Sequence, residues 1–233
     1  MKVAVHQPNY FPWLGYFAKL AAADVFVFLD DAQLPQGGSY VYRTKIHGKD
    51  SGTWLSAPVR REERQLIKDV RFAEGDWRRR HRMTLFHTYR KAPFFEPVMA
   101  LVDGLLAIET ADLALFNMRA VTTLADYLGL SPRFAAASAF GLSSTGDDRL
   151  IDLVRAVGGD VYVSGVGGQN YQHPERFERA GVELRVHAYR PHPYPQIQGG
   201  FVPGLSVLDA LFNRGPEAAS LLAYEPVGEP LAS

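Results

Sequence analysis

Two short apolar runs, with an amphipathic stretch between them, open the sequence. The runs at Lys2–His6 and at residues 24–29 are continuous and of strand length, and residues 13–22 have the pattern of an amphipathic helix. A strand, a helix and a second strand in so short a stretch indicate a βαβ unit with two parallel strands. Because helices cover both faces of a parallel sheet, this unit favours an α/β fold.

The same alternation returns later in the chain, where D-V-Y-V at residues 160–163 repeats the earlier D-V-F-V. The further predicted elements are a hairpin at 40–46 and 53–59, a helical stretch over about 76–130, strands at 133–137, 160–164 and 182–188, and helices at 147–157 and 174–180. We expect one α/β domain over residues 1–233, built as a three-layer sandwich with a mainly parallel sheet and carrying the helical stretch as an insertion.

The composition narrows the class of protein. Lys plus Arg and Asp plus Glu each number 25, so the formal net charge is zero, which argues against nucleic-acid binding by the whole surface. The chain has no cysteine, and this excludes disulfides, thiolate nucleophiles and cysteine-based zinc sites. A strand begins at once, without a signal-type leader, and no apolar run reaches the length of a membrane span. We expect a cytoplasmic protein that does not act at a membrane.

Polar residues follow three of the predicted strands. The clusters are His6-Gln7 with Asn9 and Tyr10, Asp30-Asp31 with Gln33, and Ser164-Gly165-Val166-Gly167-Gly168-Gln169-Asn170-Tyr171. In open parallel sheets, ligands bind beyond the carboxyl ends of the strands, so these clusters are expected to meet at one rim.

Each cluster has a structural alternative. His6 suits proton transfer or the holding of a substrate oxygen, but a histidine at a strand end also serves as a structural hydrogen-bonding group. Asp30 and Asp31 are either turn carboxylates or a site for an ammonium group, and the absence of an adjacent histidine weighs against a metal. The glycine-rich segment is either a flexible turn or a cradle of backbone N–H groups for an anion.

Aromatic and basic residues give further candidates. Trp13 and Tyr16 are three positions apart, which suits core packing or ligand contact, and Gly15 allows close approach of a ligand to a helix start. Arg43 and Lys45 share one face of a predicted strand, exposed to solvent or aimed at a phosphate or carboxylate. The arginine-rich helix from residue 76 either exposes a basic face to solvent or binds a phosphorylated carrier or an RNA backbone.

Several motifs resemble those of the WbqC-like family. They are H-Q-P-N-Y-F-P-W-L-G-Y-F, D-V-F-V-F-L-D-D-A-Q, R-T-K-I, W-L-S-A-P-V, Y-V-S-G-V-G-G-Q-N-Y and F-V-P-G-L-S-V-L-D-A-L-F-N-R-G. The resemblance covers residues 2–215. It implies a bacterial protein from gene clusters for O-antigen and other surface polysaccharides, and a glycine-type aminoacyl transfer onto a sugar.

A more distant resemblance is to the nucleotidylyltransferase fold, which carries H-x-G-H at its first strand-to-helix turn. Here the equivalent stretch, residues 13–16, is W-L-G-Y, so the glycine is present and both histidines are missing. L-S-S-T at residues 142–145 is similar to the I-S-S-T of that fold, with Arg149 one place from its usual arginine. The resemblance implies a nucleotidylyltransferase-like sheet and nucleotide contacts at Ser144, Thr145 and Arg149. The missing imidazoles weigh against ordinary adenylyl transfer.

Taken together, these features predict an acyl- or aminoacyltransferase that forms an amide in surface-polysaccharide or secondary-metabolite biosynthesis. The predicted catalytic residues are His6 as the base, Asp30 for the ammonium or sugar hydroxyls and Arg43 for the phosphate or activated carboxyl, and no metal site is predicted. The predicted binding residues are Gln7, Asn9, Tyr10, Trp13, Gly15, Tyr16, Lys45, Trp54, Ser144, Thr145, Arg149, Ser164, Gly165, Gly168, Asn170 and Tyr171.

The substrates and the donor stay open at this point. The expected substrates are an amino acid and a sugar or nucleotide sugar. With ATP the donor is an acyl-adenylate, and without it a charged tRNA or a carrier thioester. The alternatives are a nucleotidylyltransferase-like enzyme and a non-catalytic nucleotide- or sugar-binding protein. The oligomeric state is not predicted.

Overall fold

The computed structural model describes residues 1–48, 51–197 and 199–223. In chain order the strands are β1 (Lys2–His6), β2 (Val25–Phe28), β3 (Arg43–Ile46), β4 (Thr53–Ser56), β5 (Val59–Arg60), β6 (Arg71–Phe72), β7 (Arg133–Ala136), β8 (Val161–Gly165) and β9 (Glu183–His187). The α-helices are α1 (Leu14–Ala21), α2 (Trp77–Tyr89), α3 (Phe95–Leu106), α4 (Leu113–Tyr127), α5 (Gly146–Ala156), α6 (Pro174–Arg179) and α7 (Val207–Arg214). Short 3₁₀ helices span Ile67–Asp69, Ala137–Phe140, Val166–Asn170 and Gly215–Leu222.

The central sheet has five parallel strands in the order β7-β2-β1-β8-β9. Successive side chains of a strand point to opposite faces, and β1 uses both. Val3 and Val5 pack with Val25 and Val27 against α5 and α6 on one face, whereas Ala4 belongs to the core under α1 and α7 on the other. The result is a three-layer α/β sandwich, as predicted from the apolar runs.

The order of the strands reverses beside β1. From β1 the chain builds β2 and β7 on one side, and then β8 and β9 on the other. The pairing of β1 with β8 ends at Ala4↔Val163, while β1 stays paired with β2 through His6 and β8 with β9 through Gly165. The two central strands therefore part at their carboxyl ends, which is where open α/β sheets form a ligand crevice.

The segment between β2 and β7 adds a hairpin and three helices. β3 pairs with β4 in antiparallel register, as predicted, and the two-residue strands β5 and β6 form a second pair. α2, α3 and α4 occupy the stretch for which the sequence predicts helices. Asp112 is the N-cap residue of α4, and its side chain accepts a hydrogen bond from Leu115 N at 2.9 Å. Within the described ranges no helix is both long and apolar enough to cross a membrane.

Two local features differ from the sequence predictions. β5 and β6 are not predicted, since two residues are too few to show a periodicity. The glycine-rich segment after β8 is a 3₁₀ helix, Val166–Asn170, rather than a flexible turn. Its backbone is held by Gln172 N, which donates to Gly168 O at 3.0 Å.

Candidate functional site

A cavity of about 1260 Å³ opens at the carboxyl ends of the sheet strands, on the crevice between β1 and β8. Its wall is formed by the ends of β1 and β8, the 3₁₀ helix after β8 and the start of α5. The predicted site residues that line it are His6, Gln7, Ser144, Thr145, Arg149, Ser164, Gly165, Gly168 and Tyr171. The structure thus brings together residues from all three polar strand ends, since Asp31 and Gln33 also line the cavity, and from the L-S-S-T motif.

His6 lies at the end of β1 with its ring 4.6 Å from that of Tyr16. Its Nδ1 is 3.1 Å from the Gln7 carbonyl oxygen. A carbonyl only accepts, so Nδ1 carries the proton and Nε2 is the acceptor of the neutral ring. Burial, and secondarily the charge of Lys19, lower the pKa of His6 to about 3. The imidazole is therefore neutral at physiological pH and only weakly basic.

Ser164 and Gly168 form the tightly packed end of the glycine-rich segment. The Ser164 hydroxyl donates to Gln172 Oε1 at 2.7 Å. A Cβ atom on Gly168 would lie 2.3 Å from the Ser164 Oγ and 2.6 Å from Gln172 Oε1, so only glycine fits there without a shift of its neighbours. Gly165 and Gly167 also line the cavity, and a Cβ atom on either would meet nothing within 4 Å.

The L-S-S-T motif leads into α5 and also lines the cavity. Thr145 is the N-cap residue of α5, and its side chain makes no capping bond. The Ser144 Oγ is buried and has no hydrogen-bond partner among the described residues. An unpaired buried hydroxyl is costly, so this atom is suited to a ligand or a water molecule. The acidic Asp147 in the first turn accepts from His173 Nδ1 at 2.8 Å.

The charges on the cavity wall are unbalanced. Four basic residues line it, Lys19, Lys68, Arg149 and Arg176, against two carboxylates, Asp31 and Asp147. Arg149 is paired with Asp31, and Arg176 with Asp148. Neither lysine has a carboxylate within ion-pair distance in the part of the chain that the structure describes. The cavity is therefore suited to an anionic ligand.

Asp30 lies beside the cavity, but its carboxylate is hydrogen-bonded to Ser138. It is 3% exposed, and its carboxylate accepts from Ser138 N at 2.9 Å and from Ser138 Oγ at 2.6 Å. These bonds tie the segment after β2 to the 3₁₀ helix that follows β7. Both oxygens are already bound, and Asp30 is not among the residues that line the cavity.

The aromatic residues of the turn after β1 do not line the cavity, and all of them except Trp13 are buried. Tyr10 is fully buried, and its hydroxyl lies 2.8 Å from His81 Nδ1. Tyr16 donates to the Gln7 carbonyl at 3.1 Å. Asn9 is also buried. Trp13 covers Gly15 and packs edge-on against Tyr189 at 5.5 Å, so the glycine makes room for the indole.

Arg43, Lys45 and Trp54 form a separate cluster on the β3–β4 hairpin. The Arg43 guanidinium stacks 4.1 Å from the centre of the Trp54 ring, and the Lys45 Nζ lies 5.6 Å from it. None of the three lines the cavity. The side chain of Asn170 lies outside the described residues.

Sequence patterns miss several residues of the cavity wall, above all Lys19 in α1. A lysine in the last turn of a helix usually faces solvent and the helix dipole, so its position gives no signal. Lys68 follows no predicted strand of the sheet, and Ser138, although it follows the predicted strand 133–137, is a single polar residue that no motif marks. They reach the cavity through the 3₁₀ helices after β5 and β7.

Comparison with known proteins places the chain in a family. It is 32% identical over 227 residues to the uncharacterized protein Rv1507c of Mycobacterium tuberculosis (strain ATCC 25618 / H37Rv), an alignment that covers 96% of this chain and 98% of that protein. No solved structure matches, so the resemblance to the nucleotidylyltransferase fold stays a prediction. The model of the WbqC-like protein family matches residues 7–221. The chain therefore belongs to the WbqC-like protein family.

Proposed function

We propose that this protein is an acyl- or aminoacyltransferase that forms an amide on an amino sugar or a similar amine, in surface-polysaccharide or secondary-metabolite biosynthesis. The observation that carries the proposal is the size and charge of the cavity. At about 1260 Å³ it exceeds the usual range for a single small-molecule site, roughly 300–1,000 Å³, and has room for a donor and an acceptor together.

The excess of basic residues supports an activated donor that carries phosphate. An acyl-adenylate has a phosphate bonded directly to its acyl group, and charged tRNAs and phosphopantetheine-type carriers carry phosphate groups farther from the acyl carbon. Lys68 and the unpaired Ser144 hydroxyl both line the cavity, where they can contact such a group. The donor end of the substrate is therefore assigned to the side of the cavity formed by the L-S-S-T motif.

His6 is assigned to the acceptor amine. Its unprotonated Nε2 is able to accept a hydrogen bond from the amine and hold its lone pair toward the acyl carbon. With a conjugate-acid pKa of about 3, the ring is too weak a base to accept the proton that the amine must lose. In this mechanism His6 orients the nucleophile, and a stronger base completes the reaction.

The test is a mass-spectrometric search for amide product. Purified protein is incubated with nucleotide-linked amino sugars and either ATP plus glycine or other amino acids, or glycyl-tRNA. A product heavier by one aminoacyl group, greatly reduced in His6→Ala but unchanged in the exposed-surface variant His87→Ala, supports the proposal. Absence of amide with every donor would overturn it.

A nucleotidylyltransferase-like enzyme is the second candidate, and Ser144 is the observation that favours it. Its buried unpaired hydroxyl stands just before α5 in a motif similar to a nucleotide-binding one. A separate incubation with an amino sugar phosphate and ATP or CTP tests this activity. Release of pyrophosphate that requires both substrates, without amide formation in the first reactions, would identify it.

A further inference from the structure

Lys19 is a buried cation in the gap between the two central strands. It is 7% exposed and lies on α1 among the core residues Phe17, Ala18 and Leu20. Its Nζ donates to the Val5 carbonyl oxygen at 2.8 Å. Val5 is the first residue of β1 beyond the last pair with β8, so the lysine occupies the point at which the strands part. From there it lines the cavity.

No opposite charge compensates Lys19 in the described part of the chain. The groups that face it are His6 from β1, Tyr162 from β8 and His187 from β9. Burial first, and then the charge of Lys19, lower the pKa of both histidines, while burial raises the pKa of Tyr162 well above its usual range. All three are therefore uncharged at neutral pH.

The 3₁₀ helix that packs on α1 supplies no counterion either. Its one acid, Glu217, pairs with Arg214 at 3.3 Å. Burial lowers the pKa of Lys19 to about 8. About one molecule in ten then carries a neutral amine at pH 7, against fewer than one in a thousand for an ordinary lysine.

A purely structural lysine does not account for this arrangement. One N–H donor is enough to satisfy the Val5 carbonyl, and an ammonium group brings three donors and a charge whose burial is costly. A buried amine next to two neutral imidazoles, at the wall of an open cavity, has instead the surroundings of a lysine that exchanges a proton.

We propose that Lys19 is the proton acceptor of the amide-forming step, and that it acts on the amine held by His6. The amine nitrogen forms a bond to the acyl carbon, and the bond from that carbon to the donor's oxygen or sulfur breaks. The proton lost by the nitrogen passes to the neutral Lys19 amine, and the leaving group departs as an anion. This role rests on the proposed transferase function.

A titration independent of activity tests the chemistry of Lys19. Lysines are reductively methylated with ¹³C-formaldehyde, and their NMR signals are followed against pH. The Lys19 signal, identified by its loss in Lys19→Arg, is expected to titrate near pH 8, about two pH units below the ordinary value for a lysine. A midpoint at or above pH 10, or failure of formaldehyde to reach Lys19 at all, would overturn the proposal.

Kinetics then separate this role from a structural one. Lys19→Arg keeps the charge and the donor to Val5 but does not release its proton, so in variant protein shown to be folded by circular dichroism, transfer is expected to fall by about 100-fold or more. In the wild type, the rate of transfer is expected to rise with pH through about pH 8, as Lys19 loses its proton. This rise is expected to be absent in Lys19→Arg. Transfer within threefold of the wild type in Lys19→Arg would rule the base role out. If wild-type protein forms no amide, the transferase function fails, and the NMR titration still reports on Lys19.

Discussion

The indole of Trp13 lies directly on the backbone of Gly15, two positions later in the same turn. A Cβ atom at position 15 would come within 2.4 Å of the indole Cζ2 and Cη2 atoms. Gly15 has no positive backbone φ angle, so the contact with Trp13 is the feature that requires glycine. The glycine resembles that of the H-x-G-H turn in nucleotidylyltransferases, but in this protein it accommodates an aromatic side chain.

Gly15→Ala is therefore expected to destabilise the protein by about 1–3 kcal/mol, because the indole must leave its place against Tyr189. In a Trp13→Ala background the same change should stabilise α1 by about 0.5–1 kcal/mol, since alanine has the better helix propensity. Urea unfolding of the wild type, the two single variants and the double variant measures both changes in stability. Gly104→Ala in α3, where a Cβ atom meets nothing within 4 Å, serves as the control. An equal loss in both backgrounds would contradict the explanation.

Tyr10→Phe is expected to affect stability rather than ligand binding. His81 Nε2 lies 3.0 Å from the Ser56 carbonyl and so carries the proton, which leaves Nδ1 to accept from the Tyr10 hydroxyl. Removal of that hydroxyl leaves a buried acceptor unpaired, at a cost of about 1–3 kcal/mol in urea unfolding. Exposed Tyr40→Phe should change stability by less than about 0.5 kcal/mol. A loss of transfer activity in folded Tyr10→Phe, with stability unchanged, would instead place Tyr10 at the ligand.

Asp209 in α7 makes the stability of the protein depend on pH. It is fully buried, its nearest donors are Asn213 Nδ2 at 3.3 Å and the Tyr194 hydroxyl at 3.5 Å, and burial raises its pKa to about 7. The folded state therefore retains a proton that the unfolded state loses above about pH 4. Stability falls as pH rises from about 4 to 7, by an amount on the order of 4 kcal/mol, and is constant above.

Asp209→Asn is expected to remove this dependence. Urea unfolding of wild type and variant at pH 4.5 and at pH 7.5 measures it, and the variant should gain stability relative to wild type only at the higher pH. The difference between the two proteins isolates Asp209, because the buried histidines His6 and His81 titrate in both. An equal difference at the two pH values would contradict the expected titration.

The sheet could be predicted from the sequence because its signals are local. β1, β2 and β8 each contain a continuous apolar run. Because ligands bind beyond the carboxyl ends of parallel strands, these runs alone place His6 and Ser164 at one rim of the sheet. What the sequence does not contain is which polar groups are already bound. Tyr10 is occupied by a residue 71 positions away, and Asp30 by one 108 positions away.

The sequence also fails to identify cavity residues that lie outside the strand ends, such as Lys19. Lys19 lies on a helix whose pattern places a basic residue in its last turn, as in many exposed helices. Its amine reaches the cavity because the pairing of β1 with β8 stops at Ala4, which leaves a gap where the amine binds the Val5 carbonyl oxygen. The sequence gives no sign of this gap. Arg43 and Lys45 do share one face of β3, as predicted, but Trp54 of the neighbouring strand covers them there.

Gly167 and Gly168 are adjacent glycines on the same cavity wall, and alanine is expected to affect only the second. In Gly168→Ala the new methyl group must break the Ser164–Gln172 hydrogen bond and shift the 3₁₀ helix, whereas Gly167→Ala enters open space. Gly168→Ala should lower stability by about 1–3 kcal/mol in urea unfolding. It should also raise amide hydrogen exchange across residues 164–172, with Gly167→Ala close to wild type in both measurements. Equal effects of the two substitutions would show that this wall is not fixed by the Ser164–Gly168 contact.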